Sequence, residues 1–81
     1  MIKIQLLLFG IATDLLNVSS LELAVSKNCS VAFFKKEIVE KYPQLKNINS
    51  YAIAVNESYA SDENILKEND VVAIIPPVSG G

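Results

Sequence analysis

The chain begins with a segment in which apolar and polar positions alternate, as in a β-strand. In the run IKIQLLLF, one face of the strand carries four aliphatic residues, Ile2, Ile4, Leu6 and Leu8. Leu7 and Phe9 are apolar on the opposite face, which predicts a strand that is central in its sheet or covered on both sides. Gly10 breaks the run, and the segment IATDLL after it predicts a short turn or a single helical turn.

A second alternating run and then a helical pattern follow. In residues 18–25, VSSLELAV, the inward positions are Leu21, Leu23 and Val25, so the first two runs predict a hairpin. The apolar spacing then changes to that of a helix, with one stripe formed by Val31, Phe34, Ile38 and Tyr42. Asn28 or Ser30 can cap this helix, and Pro43 ends it because proline disfavours helical geometry in the preceding residue.

The second half of the chain predicts two further strands and a polar connection. The strands are residues 51–56, YAIAVN, and residues 71–75, VVAII. The polar segment 57–70 between them predicts a short strand and a single helical turn. This order favours the α+β class, with a mixed sheet and one main helix packed across it. We expect one domain of residues 1–75 and a flexible C-terminal tail of residues 76–81.

Composition excludes several kinds of function. The 81 residues contain no histidine, no arginine and one cysteine, and the net charge is −2. Without histidine there is no Ser-His or Cys-His nucleophile and no zinc site of the ordinary type. Without arginine or a basic patch, nucleic acid is not an expected partner. No apolar run approaches the length of a membrane span, so no membrane is expected either. A lone cysteine fits a reducing, cytoplasmic setting.

The last six residues combine prolines, whose backbone is conformationally restricted, with glycines, whose backbone is conformationally free. They are Pro76, Pro77, Val78, Ser79, Gly80 and Gly81. The prolines cannot continue the ladder of the preceding strand and favour an extended polyproline conformation, which would project the tail by roughly 18 Å. The two glycines permit close approach of another protein's backbone, and no side chain crowds the terminal carboxylate. The tail is suited to enter a narrow pocket and be modified at its carboxylate, although an inert frayed end is the plain alternative.

The C-terminal third, AVNESYASDENILKENDVVAIIPPVSGG, resembles the small, sulfur-carrier subunits of molybdopterin synthase, the MoaD family. The early segment LLFGIATDLL is also similar to that family, and the length matches its domain. The resemblance implies a β-grasp, ubiquitin-like fold with an extended Gly-Gly tail. Family members often have an arginine before the acidic residue that follows strand one. Here Thr13 precedes Asp14, so the resemblance does not extend to a charge contact that relatives make through that arginine.

The resemblance also implies a reaction scheme carried out mainly by partners. Gly81 would be adenylated and then converted to a thiocarboxylate, Gly80 would fit the partners' constriction, and residues 76–79 would form the threading arm. The implied partners are an adenylyltransferase related to ubiquitin-activating enzymes, a sulfur donor such as a cysteine desulfurase, and the large synthase subunit in a heterotetramer. ATP and magnesium would be used by the activating partner, and this chain would bind no cofactor or metal. The chain would be a non-catalytic, sulfur-donating subunit, with the active site on the large subunit and cyclic pyranopterin monophosphate as acceptor.

Three alternatives remain open from the residues alone. The carrier could serve thiamin, tRNA thiolation or cysteine synthesis, although thiamin-type carriers usually lack the two prolines. It could be a ubiquitin-like modifier joined to lysines, or an adaptor domain with an inert tail.

Several single residues also carry expectations. Tyr59 and Ile75 are candidates for a partner-contact patch beside the tail, with core packing as the alternative. We expect Cys29 to be a small core residue rather than a sulfur relay. Acidic residues near the tail predict electrostatic steering of basic partners, and they are Glu57, Asp62, Glu63, Glu68 and Asp70.

Overall fold

The structure is a computed structural model that describes residues 1–47 and 51–76. These residues form five strands and two α-helices. In chain order the elements are β1 (Ile2–Leu8), α1 (Ile11–Leu16), β2 (Ser20–Val25), α2 (Val31–Lys41), a 3-10 helix (Pro43–Asn47), β3 (Ala52–Val55), β4 (Ser58–Tyr59) and β5 (Val71–Ile75).

The five strands form one mixed sheet in the order β2-β1-β5-β3-β4. β1 runs antiparallel to β2, with Ile2 opposite Val25, and parallel to β5, with Gln5 beside Val71. β5 is antiparallel to β3, and β3 to β4. The predicted mixed sheet is confirmed, and the last strand occupies its centre. The chain therefore enters its final described residue, Pro76, directly from a strand that is hydrogen-bonded on both sides.

Helix α2 packs its apolar stripe onto one face of the sheet. The stripe residues Val31, Phe34 and Ile38 are buried. They share the core with inward residues of the strands and loops, among them Ile4, Leu6, Leu45, Leu66, Val72 and Ile74. The hydroxyl of Ser30 accepts a hydrogen bond from the Phe33 N–H at 3.1 Å, so Ser30 is the cap. The helix ends at Lys41, and Tyr42, the last predicted stripe residue, is half-buried just beyond it.

The predicted helical turn in residues 57–70 is wrong. The segment contains turns and an isolated antiparallel bridge between Ser30 and Ile65. Its backbone carbonyls are used elsewhere, because the carbonyl of Asn64 accepts from the Val31 N–H at 2.8 Å and that of Asp62 accepts from the Ala32 N–H at 3.1 Å. These N–H groups belong to the first turn of α2, where no intrahelical acceptor exists. Capping α2 thus holds this loop in a non-helical path.

The sheet face opposite α2 is less covered than the first run predicts. β1 is interior, as expected, but Leu7 is only half-buried and the Phe9 side chain is 48% exposed. Within the described residues, neither of these two side chains belongs to the core that α2 covers. We call the face opposite α2 the open face of the sheet. The second predicted strand is also shorter than its pattern, because β2 begins at Ser20 and Val18 is exposed.

Candidate functional site

The root of the tail lies against the corner that follows β1. Ile75 ends β5 and Pro76 follows it, and both are half-buried. A β-carbon placed on Gly10 would lie 3.8 Å from Cγ of Pro76, so this corner is in contact range of the proline ring. Gly10 has φ 54° and ψ −131°, a combination open to glycine and strained for residues with a β-carbon. The remaining predicted tail residues, Pro77, Val78, Ser79, Gly80 and Gly81, lie outside the described residues.

Thr13 has a structural partner in the same corner. Its hydroxyl donates a hydrogen bond to the carbonyl of Leu8 at 2.9 Å, and its N–H donates to the carbonyl of Gly10 at 3.1 Å. The bonds tie α1 to the end of β1. Thr13 therefore holds the turn beside the tail root.

A hydrogen-bonded lock fixes the start of β5. Asp70 accepts from the side-chain amide of Asn56 at 3.0 Å and from the Lys67 N–H at 2.8 Å. The Asn56 side-chain oxygen in turn accepts from the Val71 N–H at 3.0 Å. This network joins the β3–β4 turn to the loop before β5. Because β5 also pairs with β1 and β3, both ends of the strand that carries the tail are held in place.

The open face carries a groove that ends at the tail root. The groove has a volume of about 360 Å³. It is lined by Leu7, Phe9, Ala54, Glu57, Tyr59, Val71, Ala73 and Ile75. We call it the open-face groove. The Tyr59 side chain is 77% exposed, so core packing of that residue is wrong. The structure therefore brings together Tyr59 and Ile75, the two residues that the sequence offered as partner-contact candidates.

Sequence reasoning missed the contribution of Leu7 and Phe9 to this groove. Their signal is present in the first run, where Leu7 and Phe9, the last two positions that face away from the core, are apolar. Such a pattern predicts burial within the chain, and here that burial is incomplete. An apolar strand face left open, rimmed by polar residues, is also what a protein-binding surface requires.

The acidic residues near the tail have unequal roles. The Asp62 carboxylate pairs with the Lys35 ammonium at 2.9 Å, the Glu68 carboxylate accepts from the Lys3 N–H, and Asp70 forms the lock described above. These contacts give three of the five an evident part in holding loops together. Glu57 is different, because it alone of the five lines the open-face groove. Steering of partners by this acidic region stays a prediction.

Cys29 lies in the core, as expected. It is 3% exposed, and its Sγ lies 3.9 Å from Oε1 of Glu37. Burial raises the pKa of the Cys29 thiol above its ordinary value, and the negative charge and hydrogen bond of Glu37 raise it further. A protonated, buried thiol is a poor nucleophile. The environment of Cys29 thus gives no support to a sulfur-relay role.

The described residues 1–47 and 51–76 contain no group of three or more His, Cys, Asp or Glu side chains arranged to hold a metal ion. Helix lengths and hydropathy within the same residues reveal no helix capable of crossing a membrane. What the site offers is an apolar groove, a lock at its far end and a tail root at its near end.

Comparison with known proteins agrees with this architecture. A model of the ThiS family matches residues 6–81. A protein of Arabidopsis thaliana named molybdopterin synthase sulfur carrier subunit is 37% identical over 81 residues, covering 99% of this chain and 84% of the relative.

Solved structures share the fold over nearly the whole chain. A putative molybdopterin converting factor, subunit 1, from Pyrococcus furiosus is 26% identical, with a TM-score of 0.86 over 96% of this chain and all of that chain. A chain in the complex of subunits 1 and 2 of molybdopterin-converting factor from Helicobacter pylori is 23% identical, with a TM-score of 0.70 over 99% of this chain and 100% of that chain. These likenesses confirm the predicted β-grasp, ubiquitin-like fold. Since the family model spans almost the entire sequence, the chain belongs to the ThiS family.

Proposed function

We propose that this chain is the sulfur-carrier (small) subunit of a molybdopterin synthase, and that Gly81 carries the sulfur as a C-terminal thiocarboxylate. The observation that carries the proposal is the position of the tail root. Pro76 leaves the central strand beside the open-face groove, and the sequence after it ends in Gly-Gly. The name that the Arabidopsis relative carries supports the same function.

The chemistry requires activation by a partner, because a free carboxylate is a poor electrophile. A carboxylate oxygen of Gly81 attacks the α-phosphate of ATP on an adenylyltransferase with magnesium, and pyrophosphate leaves. The outer sulfur of a persulfide on the donor, such as a cysteine desulfurase, then attacks the acyl carbon, and AMP leaves. A second thiol cleaves the resulting acyl disulfide, so that the thiocarboxylate is released and this thiol forms a disulfide with the donor's cysteine. The product is a thiocarboxylate whose sulfur is nucleophilic. This chain supplies the acyl group and the surface that the partners recognise, so the proposal assigns it no catalytic side chain.

The open-face groove is the surface that we assign to the large subunit. Its walls are aliphatic and aromatic, and Tyr59 and Phe9 stand exposed on it, as interface anchors commonly do. The groove ends at Ile75, so a protein docked there would lie next to the root of the tail. The Helicobacter pylori chain of the same fold belongs to a complex of subunits 1 and 2, which supports a large-subunit partner here. In a heterotetramer the sulfur would pass to cyclic pyranopterin monophosphate in the large subunit's active site.

The names of the relatives favour this destination over thiamin, tRNA thiolation or cysteine synthesis, and over a role as a protein modifier. No feature of the described residues favours one of those alternatives. The buried, single cysteine is compatible with the reducing cytoplasm in which we place the reaction.

The deciding experiment is the intact mass of the chain after incubation with its adenylyltransferase, ATP, magnesium and a sulfur donor. We expect a mass increase equal to the replacement of one oxygen by sulfur, and no increase in a chain that lacks Gly81. Addition of the large subunit and cyclic pyranopterin monophosphate should then return the mass to its starting value and yield molybdopterin. An unchanged mass, with a partner proven active on its own carrier, would refute the proposal. Covalent conjugates of the chain with cellular proteins would indicate a modifier instead.

A further inference from the structure

The open-face groove is apolar along its length except at one end. Among the described residues that line it, Glu57 is the only charged one. The residue lies in the turn between β3 and β4, and the N–H of its neighbour Asn56 donates to the carbonyl of Val71 at 2.8 Å, so this turn sits beside the first residue of β5. Val71 and Ile75, the two ends of β5, are about 13 Å apart at the rise of a strand. The charge therefore marks the end of the groove opposite the tail root.

The backbone at Glu57 is unfavourable for glutamate. Its φ is 72°, in the left-handed region. The other described residues with positive φ, apart from Gly10, are all asparagine, namely Asn17, Asn28, Asn56 and Asn69. Asparagine tolerates this region, and the second residue of such a two-residue hairpin turn is most often glycine. The chain thus keeps a strained glutamate where Asn-Gly would be more stable.

No contact among the described residues accounts for this choice. Among residues 1–47 and 51–76, the Glu57 carboxylate forms neither a hydrogen bond nor an ion pair, whereas Asp62, Glu68 and Asp70 each form one. A residue that breaks a local rule without an internal gain is a candidate for function. Its place at the rim of an apolar groove points to a contact with whatever occupies that groove.

We infer that Glu57 binds a lysine or arginine side chain of the large subunit when that subunit docks on the open-face groove, and so fixes the direction of docking. The inference rests on the proposed function. Apolar contact has little directional preference, so a groove of this composition could receive a partner in more than one orientation. A single charge at the end away from the tail removes that ambiguity, because the reversed orientation leaves Glu57 against apolar surface. Glu57 is a specificity-determining residue and takes no part in the chemistry.

The test uses four variants and two measurements. The variants are Glu57→Gln, Glu57→Lys, Glu57→Gly and the control Glu63→Lys, which changes the charge at an exposed acidic residue outside the groove. The first measurement is the Kd for the cognate large subunit, taken by calorimetry at several salt concentrations. The second is the melting temperature of the chain alone.

Glu57→Gln keeps the strain and removes the charge, so we expect an unchanged melting temperature and binding weakened by about two- to fivefold. Glu57→Lys should weaken binding by about tenfold or more, because two cations would then face each other. Glu57→Gly should melt at a higher temperature and yet bind more weakly, which no purely structural role of Glu57 would produce. Glu63→Lys should bind nearly as the unchanged chain does. The salt dependence of Kd should be smaller in Glu57→Gln.

Three results would overturn the inference. If Glu57→Gly melts at a higher temperature and binds as tightly as the unchanged chain, the glutamate lowers stability without contributing to binding. If Glu57→Lys and Glu63→Lys weaken binding equally, the effect is general charge repulsion rather than a contact. If the unchanged chain does not bind the large subunit, the proposed partner fails together with the inference, whereas unchanged binding by the Glu57 variants refutes the inference alone.

Discussion

Gly10 and Pro76 lie side by side although they are 66 positions apart in the chain, and a β-carbon on Gly10 would lie 3.8 Å from Cγ of Pro76. This proximity follows from the parallel pairing of β1 and β5, which brings the ends of both strands to the same edge of the sheet. The corner after β1 thus forms one wall of the place from which the tail departs.

The first prediction concerns this corner. Gly10→Ala places a β-carbon on a residue with φ 54° and ψ −131°, and we expect it to lower the free energy of unfolding by about 1–3 kcal/mol. Urea unfolding followed by circular dichroism measures the loss. Asn17→Gly is the matched control, since Asn17 also has positive φ but a conformation that glycine adopts freely. Equal stability of Gly10→Ala and the unchanged chain would show that the corner relaxes without cost.

The second prediction separates binding from stability at two phenylalanines. Phe9 and Phe33 are both 48% exposed, but only Phe9 lines the open-face groove. Phe9→Ala should weaken binding of the large subunit by about tenfold or more, whereas Phe33→Ala should leave it nearly unchanged. Both should have similar and modest effects on stability. Calorimetric titration of each variant provides the measurement, and equal losses of affinity would place the docking surface elsewhere.

The third prediction addresses the lock at the start of β5. Asn56→Ala removes the acceptor of the Val71 N–H and a donor to Asp70, and it puts alanine at φ 51°. We expect a loss of about 2–3 kcal/mol in the free energy of unfolding. Asn56→Gly relieves the backbone strain and loses only the hydrogen bonds, so it should lose about half as much. A smaller loss for alanine than for glycine would contradict this account.

The fourth prediction concerns pH and Cys29. The pKa of its thiol is raised above 9.0 first by burial and then by Glu37, so the folded thiol stays protonated at a pH where the unfolded thiol ionises. The contribution of the thiol to the free energy of unfolding is therefore constant below pH 9.0, and it declines as the pH rises above that value. We therefore expect the difference in free energy of unfolding between the unchanged chain and Cys29→Ala, measured in urea, to become smaller as the pH rises above 9.0. A difference independent of pH would show that the thiol ionises equally in both states.

The strands and the main helix could be predicted from the sequence because their signals are local. Alternation predicts β1, and the stripe of Val31, Phe34 and Ile38 predicts α2, since each pattern reports burial of one face. The path of residues 57–70 could not be predicted in the same way. It is set by the needs of α2, whose first N–H groups take their acceptors from Asp62 and Asn64.

In the candidate site, too, some features could be predicted from local sequence signals and others depend on tertiary structure. The tail motif and the pair Tyr59 and Ile75 were visible as residue types, and the structure brings the pair into one groove. The face on which Leu7 and Phe9 lie could not be told from a covered face, because the alternation pattern does not say what packs against it. The strain at Glu57 was likewise invisible, since φ depends on the turn that the register of β3 and β4 imposes.

The central position of β5 also has a mechanical consequence. Its ladders to β1 and β3 run along its length, so a pull on the tail along the strand axis loads the hydrogen bonds of both ladders together, in shear. Hydrogen bonds loaded in shear must break together rather than one after another. A partner that pulls on the tail would therefore act on a strand held by hydrogen bonds along both of its sides, and the domain would stay folded through each cycle of loading and delivery.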